Sequence, residues 1–312
     1  MSPVRAEFVP GYVYVADSAV PPCFDGGPPD RIWEVDPATG ESRVFATIPE
    51  EFCGGLTGLT FTPDGQYLRA SAAIAGSILE IDGAGNVGVA LDREDGLVFP
   101  IGASNLAYDR AGNFWVGDMF PPRVLRFPVT GGAPDVILNS SNDLVDLAAM
   151  APDRSGDMWV AQHELSPPNL YRISAEGTVQ PLHVNGTNPR AIAADHFGNV
   201  YIHSGLLGVY LLPNGDPTLP ILLAVDVPVG SLALSANQRQ LYVVGVNELA
   251  VVDLPSGDIA DMWDIAGSNA GEGMAVFVPE PTTLALVTGA LLVLRTRRRK
   301  EKGQQRCCTT ES

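Results

Sequence analysis

The chain repeats one pattern of four short β-type runs, and its clearest copy extends from Asn105 to Leu138. In that copy, runs rich in aromatic and branched residues alternate with turn signals, including the Asp-Arg-Ala-Gly sequence that begins at Asp109 and a later Gly-Gly pair. Such runs, bounded by Gly, Asp and Asn, are typical of strands joined by tight turns. The repeat therefore restricts the chain to a modular all-β fold.

The spacing of the copies indicates the kind of module. The full copies are Leu59–Leu91, Asn105–Leu138, Asp146–Leu182, Ala191–Leu223 and Ser231–Ile265. Their second runs align on an aromatic residue, and the last three intervals between these aromatics are 44, 42 and 41 residues. The aligned aromatics, with the N-terminal one, are Tyr14, Tyr67, Trp115, Trp159, Tyr201 and Tyr242. A four-stranded unit every ~40–50 residues is the period of a β-propeller blade.

The two ends of the repeat region complement each other. The N-terminal copy, with strands predicted at Tyr12–Asp17, Arg31–Asp36 and Ser42–Ile48, lacks a first strand, whereas Gly271–Val278 resembles a first strand with no blade after it. Pairing the two leaves no open sheet edge. We therefore predict an all-β fold over residues 7–278, a six-bladed β-propeller closed by pairing of its N- and C-terminal strands.

The turn between the first two strands of a blade also repeats. It reads Thr62–Gly65, Asp109–Asn113, Asp153–Asp157 and Asp195–Asn199. An aspartate that begins such a turn accepts backbone N–H groups, and the glycine supplies the positive φ. Calcium loops need more carboxylates and a closing bidentate glutamate. Structural turns are therefore the favoured interpretation.

The strand sequences resemble the NHL-type six-bladed propeller signature. The resemblance is carried by Tyr12–Asp17 with Arg31 and Ile32, and by Phe114–Asp118 with Arg123. Two blades depart from it, with Ala70 and Gly245 at the position of the second-strand aspartate. The resemblance implies the fold but no single function, since this fold hosts binding modules, lactonases and lyases.

Charge excludes one class of partner. The whole chain has a net charge of −17, but seven of its basic residues follow Pro279, so residues 1–278 carry a net charge of −21. Such an acidic body repels phosphate backbones. We expect no nucleic-acid partner.

The C-terminal region carries three features in a fixed order. Val278 is followed by Pro279-Glu-Pro281, then by an apolar run to Leu294, then by a basic cluster. The basic residues of this cluster include Arg295, Arg297, Arg298 and Arg299. This order resembles the PEP-CTERM sorting signal of bacterial envelope proteins. The resemblance implies transient inner-membrane anchoring, an exosortase-type sorting protease as partner, and a final place at the cell surface or in extracellular matrix.

The physics of residues 281–294 is compatible with that resemblance. A helix of this length spans about 21 Å at ~1.5 Å per residue, whereas a bilayer core is about 30 Å thick. The run predicts a short transmembrane helix whose basic flank stays cytoplasmic, leaving the propeller outside. We therefore divide the chain into a possible signal-peptide remnant at 1–6, the propeller at 7–278, the sorting segment at 279–300 and a tail at 301–312. The alternatives are an ordinary membrane tail or a stray apolar helix.

Export would affect the N-terminal part of the chain in two ways. The sequence Val4-Arg-Ala6 has the small-x-small form of a cleavage site, so the true start is expected upstream of Met1; the alternative is that Met1 is real. In an oxidising compartment Cys23 and Cys53 can pair. Their loops belong to adjacent blades and open on the same face. A disulfide is expected, with two free thiols as the alternative.

The predicted mouth of the propeller collects the polar candidates for a site. They are Asp17, Asp118, His163, Glu164, Asn188, Arg190, His203, Asn269 and Glu272. Imidazole and carboxylate groups together can bind calcium or another divalent metal, and Asp118, His163, His203, Asn188 and Glu272 are the candidate ligands. Gluconolactonase-type lactonases share this fold and use a calcium ringed by Glu, Asn and Asp, so Asn105, Asn188 and Glu272 are a second candidate set. Structural roles, such as turn caps and hydrogen-bonded histidines, are the favoured alternative.

Two functions remain open. The first is an exported, non-catalytic binding or scaffold propeller with an unidentified extracellular ligand. The second is a metal-dependent lactonase, hydrolase or lyase with its site at the mouth. No Gly-x-Ser-x-Gly motif occurs in the sequence, and nothing in it demands catalysis. The binding function is therefore favoured.

Overall fold

The computed structural model describes residues 7–18, 26–98, 100, 105–163, 167–254, 256–265 and 271–278. The first half of the described strands comprises β1 (Val13–Asp17), β2 (Arg31–Val35), β3 (Ser42–Thr47), β4 (Leu56–Phe61), β5 (Tyr67–Ala72), β6 (Ser77–Asp82), β7 (Val87–Leu91), β8 (Leu106–Tyr108), β9 (Phe114–Met119), β10 (Pro122–Phe127), β11 (Asp135–Asn139) and β12 (Leu147–Pro152). The second half comprises β13 (Met158–Gln162), β14 (Leu170–Ile173), β15 (Val179–Leu182), β16 (Ala191–Ala194), β17 (Val200–His203), β18 (Val209–Leu212), β19 (Ile221–Ala224), β20 (Ser231–Leu234), β21 (Gln240–Gly245), β22 (Glu248–Asp253), β23 (Ile259–Asp264) and β24 (Gly271–Val276). Short 3₁₀ turns are the helical elements of the described residues, at Glu50–Phe52, Arg93–Asp95, Ser140–Asn142, Gly205–Leu207 and Pro213–Gly215.

The strands form six four-stranded antiparallel sheets. Blade 1 has the strand order β24-β1-β2-β3, and blades 2 to 6 use β4–β7, β8–β11, β12–β15, β16–β19 and β20–β23 in turn. The first strand of each blade contacts the first strand of the next, from β24 through β4, β8, β12, β16 and β20 back to β24. The predicted six-bladed β-propeller is therefore the observed fold.

Blade 1 combines strands from both ends of the described chain. Strand β24 pairs antiparallel with β1, and the register places Val276 opposite Val13 and Met274 opposite Val15. The Tyr14 hydroxyl on β1 donates a 2.6 Å hydrogen bond to Glu34 on the neighbouring strand β2. Because β1 also pairs with β2, the added strand β24 covers the edge of β1 that would otherwise be open.

The core lies between the blades rather than within any one of them. Among the described residues, each pair of neighbouring blades shares one buried apolar cluster. On β13, Met158 and Val160 pack toward blade 3, whereas Trp159 and Ala161 pack toward blade 5. Alternating side chains point to opposite faces of a strand, and here both faces are buried. This explains why the second strand of a blade is so apolar in sequence.

The alternation of strand direction sorts the connections onto two faces. Connections between second and third strands, and between consecutive blades, lie on one face, which we call the mouth face. Connections between first and second strands, and between third and fourth strands, lie on the other, which we call the turn face. The metal ligands predicted from the sequence belong to the mouth face. The repeating Asp-x-x-Gly turns belong to the turn face.

The predicted C-terminal helix and sorting residues, including Pro279, Glu280, Pro281, Arg295, Arg297, Arg298 and Arg299, lie outside the described residues, as do residues 1–6. Within the ranges given above, no helix has the length and apolar character needed to cross a bilayer.

Candidate functional site

The carboxylate of Asp118, a predicted metal ligand, is already hydrogen-bonded to other groups of the protein. Its fully buried carboxylate accepts hydrogen bonds from Arg123 Nη2 at 2.6 Å and Nε at 3.0 Å, and from the Val98 N–H at 3.1 Å. The same Arg123 guanidinium donates to the Gly96 carbonyl at 2.6 Å. Asp118 thus ties the β9–β10 hairpin to the preceding connection between blades. Asp17 has a comparable role, since its carboxylate accepts a 3.0 Å hydrogen bond from Trp33 Nε1.

His163 and its neighbour Asp146 form a second mouth-face pair. His163 Nδ1 lies 3.4 Å from Asp146 Oδ2, and the His163 N–H donates to the Asp146 carbonyl at 2.8 Å. Among the described residues, the buried Nε2 of the same ring has no hydrogen-bond partner. One nitrogen of this imidazole is therefore held by Asp146, and the other has no partner in the described part of the chain.

His203 and Asn188 lie together at the end of blade 5. The Arg190 N–H donates to the His203 carbonyl at 2.9 Å, and the Asn188 N–H donates to Ser204 Oγ at 2.8 Å. His203 is fully buried, and neither of its ring nitrogens has a hydrogen-bond partner among the residues that the structure describes, nor does Asn188 Oδ1. Burial, reinforced by the positive charge of Arg190, lowers the pKa of His203 to about 4. This imidazole is neutral at physiological pH.

The predicted metal site is only partly represented in the structure. Within the described part of the chain, no three His, Cys, Asp or Glu side chains form a group able to hold a metal ion, so Asp118, His163 and His203 do not form one. The side chain of Glu272 lies outside the described residues. In the second candidate set, the Asn105 side chain is buried and held by protein groups, since its Oδ1 accepts from Ser71 Oγ at 3.0 Å and its Nδ2 donates to the Gly117 carbonyl at 3.2 Å.

Cys53 is disulfide-bonded. It lies in the connection between blades 1 and 2, directly after the 3₁₀ turn Glu50–Phe52, and is buried. Its predicted partner, Cys23, lies outside the described residues.

The turn face presents a different arrangement, built on the repeating aspartates. Each of three turn aspartates accepts four hydrogen bonds from its own blade. Asp109 accepts from Ala111 N, Asn113 N, Asn113 Nδ2 and Trp115 Nε1. Asp153 accepts from Ser155 N, Ser155 Oγ, Asp157 N and Trp159 Nε1. Asp195 accepts from Phe197 N, Asn199 N, Asn199 Nδ2 and Tyr201 Oη. Both oxygens of each carboxylate are therefore engaged by the protein, although Asp153 Oδ2 accepts a single hydrogen bond, from Trp159.

The residue after each aspartate reaches the next blade. Arg110 Nη1 donates to the Arg154 carbonyl at 3.2 Å, and Arg154 Nη1 donates to the His196 carbonyl at 3.1 Å. The His196 N–H then donates to Gln238 Oε1 at 2.7 Å. His196 Nδ1 contacts the same Gln238 oxygen. Four consecutive blades are thus linked by at least one polar contact per step.

These residues line two pockets that share Asp153 and Arg154. The inner pocket, of about 370 Å³, is lined by Tyr108, Asp109, Arg110, Pro152, Asp153, Arg154, Ala194, Asp195, His196 and Gln238. The outer pocket, of about 350 Å³, is lined by Asp153, Arg154, Ser155, Trp159, Arg172, Phe197, Gly198 and Asn214. Each lies within the size range of small-ligand sites.

The outer pocket has an aromatic wall. Phe197 is 66% exposed, and its ring centroid lies 3.8 Å from that of His196. Trp159 is buried beneath, with the Arg172 guanidinium 5.4 Å from its ring centroid. Gly215 approaches the same indole so closely that an added Cβ would lie 2.8 Å from its ring, and its φ of +69° favours glycine.

Arg110, Arg154 and Phe197 were not among the residues predicted from the sequence, which placed the candidate ligands at the mouth face. A signal was nevertheless present. Arg110, Arg154, His196 and Gln238 follow one another at intervals of 44, 42 and 42 residues, the spacing of the blades themselves. Long polar side chains at the blade period are therefore a detectable mark of this face.

Comparisons with known proteins establish the architecture alone. No protein-family model and no curated protein matches this chain. A propeller in a nidogen/laminin complex is similar, with a TM-score of 0.68, 16% identity, and coverage of 84% of this chain and 97% of that one. TolB from Acinetobacter baumannii has a TM-score of 0.62, 12% identity, and coverage of 85% and 66%. A streptogramin B lyase has a TM-score of 0.54, 14% identity, and coverage of 88% of both chains.

These similar structures include a protein crystallised in a complex and an enzyme, and at such low identity they indicate the fold and no activity. The chain is a six-bladed β-propeller.

Proposed function

We propose that the chain is an exported, envelope-sorted binding protein, a propeller sealed by its terminal strands that holds a ligand without transforming it. The hydrogen bonding of the turn-face aspartates carries this proposal. A general base needs a free lone pair near its substrate. Asp109, Asp153 and Asp195 each accept four hydrogen bonds, so the carboxylates of the inner pocket support the fold. The groups left open to a ligand include the hydrogen-bond donors of Arg110 and Arg154 and the exposed ring of Phe197.

The export part of the proposal has two supports. Residues 279–300 resemble a PEP-CTERM sorting signal, with an inner-membrane stage, an exosortase-type protease as partner and a surface or matrix destination. Cys53 is disulfide-bonded, which suits an oxidising compartment outside the cytoplasm. Both observations favour an extracytoplasmic propeller.

Cell fractionation tests this proposal. The full chain, expressed behind an export signal in a host with the sorting protease, is expected first in the inner membrane and then at the cell surface. A variant with Arg295, Arg297, Arg298 and Arg299 replaced by Gln, and a chain ending at Val278, are expected to miss the membrane stage. A full chain that stays in the cytoplasm with reduced cysteines would refute the export proposal.

A second candidate function, a metal-dependent lactonase, hydrolase or lyase, is kept because of the mouth-face polar groups. Within the described ranges, the buried polar atoms that lack a partner include His163 Nε2, Asn188 Oδ1 and both His203 ring nitrogens. Buried polar groups are usually hydrogen-bonded. The positive charge of Arg190 beside His203 opposes a cation there. Tightly held stoichiometric calcium in the purified protein, lost on Glu272→Ala, would favour the enzyme over the binding protein.

A further inference from the structure

We infer that the paired pockets of the turn face bind an acidic saccharide through its carboxylate groups, with Arg110 and Arg154 as the recognition residues. The inference rests on the proposed binding function and names the ligand class that the pockets would take.

The first step is the state of the two arginines. Each is exposed and uses one Nη1 for a neighbouring carbonyl. Neither forms an ion pair among the described residues, although five other arginines there do so. A guanidinium has five N–H donors in a planar fork that fits a carboxylate. Each of these arginines therefore keeps donors available.

The second step is the chemistry that the pocket walls leave open. Asp109 and Asp195 accept two hydrogen bonds on each carboxylate oxygen and have no acceptor capacity left for ligand hydroxyls, and Asp153 already accepts four. The charge of Arg172, unlike that of Arg110 and Arg154, is already compensated, because its Nε donates to Asp157 at 2.8 Å and its Nη2 lies 3.7 Å from Asp153. The unpaired donors of Arg110 and Arg154 thus dominate recognition. A ligand that satisfies them must present acceptors, and a carboxylate is the matching group.

The third step concerns the uncharged part of the ligand, which would contact Phe197. The Phe197 ring is 66% exposed at the outer pocket, where it offers a flat apolar surface beside polar Ser155 and Asn214. A sugar ring has the same combination, with an apolar C–H face and polar edges. Arg154 borders both pockets, so a ligand of at least two sugar units can lie across it.

The net negative charge of the propeller disfavours ligands that carry closely spaced negative charges. Residues 1–278 carry a net charge of −21, and three aspartates line the inner pocket. Closely spaced phosphates would meet strong repulsion from this field. Singly charged carboxylates, one per sugar ring, meet less repulsion and still satisfy each guanidinium. A uronate-containing oligosaccharide is therefore favoured over a polyphosphate or nucleic acid.

Calorimetric titration of the full chain with a short oligogalacturonate tests the inference. Wild-type protein is expected to bind at low salt and to lose affinity as salt is added. Arg154→Met and Arg110→Met are each expected to weaken binding roughly tenfold to hundredfold, the loss of a charge-assisted hydrogen bond. Phe197→Ala is expected to weaken it about threefold to tenfold by removing ring contact.

Arg239→Met is the matched control, because it removes one exposed arginine from a neighbouring turn of the same face, outside the pocket linings. Its affinity is expected to stay within about twofold of wild type, well under one tenfold step. A neutral oligogalactose and inorganic phosphate are expected to bind more weakly than the oligogalacturonate. Equal binding by wild type and Arg154→Met, or no binding of the oligogalacturonate, would overturn the inference.

Two further outcomes separate this inference from the proposed function. A peptide with a free C-terminal carboxylate that binds more tightly than the oligogalacturonate would overturn the saccharide assignment. Correct envelope sorting without any binding of the acidic saccharide would likewise reject the ligand class while leaving the proposed export intact. Loss of sorting with retained, Arg154-dependent saccharide binding would support the inference and reject the export.

Discussion

Trp159 Nε1 donates a 3.0 Å hydrogen bond to Asp153 Oδ2, and this contact joins the two most conspicuous repeats of the sequence. The aspartate begins the turn after a first strand, and the aromatic residue occupies the second strand six positions later. The same contact recurs between Trp115 and Asp109 and between Tyr201 and Asp195. The aspartate and the aromatic residue are therefore two halves of one structural device that fixes the turn to the blade.

We predict that Asp153→Ala lowers the free energy of unfolding by about 2–4 kcal/mol, since it leaves several buried or half-buried donors unpaired. Urea denaturation of the full chain measures this change. The control is Asp216→Ala, which removes only the contacts to Thr218 N and Oγ1 in an exposed turn and should cost less than about 1 kcal/mol. Equal losses for the two variants would contradict a special role for Asp153.

The blade architecture could be predicted because its causes are local and repeated. The Asp153 turn, the Trp159 position and the alternation of buried residues on a strand all lie within a few residues of one another. The pairing of β1 with β24 joins strands more than 250 residues apart, and it could be anticipated because each end lacked what the other supplied.

The turn-face pockets could not be predicted in the same way. The contact of Arg110 with Arg154 links residues 44 positions apart, and that of Arg154 with His196 links residues 42 positions apart. Within a single blade, each of these residues is an ordinary polar residue of an exposed turn. Their proximity arises only when successive blades are brought side by side. The sequence likewise does not reveal that Arg123 pairs with Asp118, the carboxylate that suggested metal binding.

Acid is predicted to destabilise the fold through His203. Burial lowers the pKa of this imidazole to about 4, below its ordinary value of 6.5, so the unfolded chain binds the proton more readily. The unfolding free energy therefore falls as pH decreases from about 6.5 to about 4, by on the order of 3 kcal/mol from this group. Denaturation midpoints across this range measure the effect.

The variant His203→Gln isolates that contribution, because glutamine is polar and does not titrate. Its unfolding free energy should change less between pH 6.5 and 4 than that of the wild type. His196→Gln serves as the control, since His196 is exposed and no comparable burial acts on its ring. An unchanged pH profile in His203→Gln would show that other groups cause the acid sensitivity.

Cys53 is predicted to pair with Cys23. With Cys307 and Cys308 replaced by serine, thiol titration of the denatured, unreduced protein should detect no free thiol. A disulfide closing a loop of this length stabilises a fold by roughly 3–4 kcal/mol in the chain-entropy estimate, so Cys53→Ser should lower the unfolding free energy by a comparable amount. Two reactive thiols per chain in the titration would disprove the pairing.

Asp118 is predicted to be a structural residue of the mouth face. Asp118→Asn removes the charge partner of Arg123, whose guanidinium lies 2.6 Å from the carboxylate, and leaves a partly buried cation without compensation. We expect a loss of roughly 2–4 kcal/mol in unfolding free energy. Metal analysis of the purified variant should match that of the wild type, because the carboxylate is committed to Arg123 and the Val98 N–H.

The double variant Asp118→Asn with Arg123→Met should recover part of the lost stability, since no unpaired cation remains. A stable Asp118→Asn protein that loses bound calcium would instead identify Asp118 as a ligand.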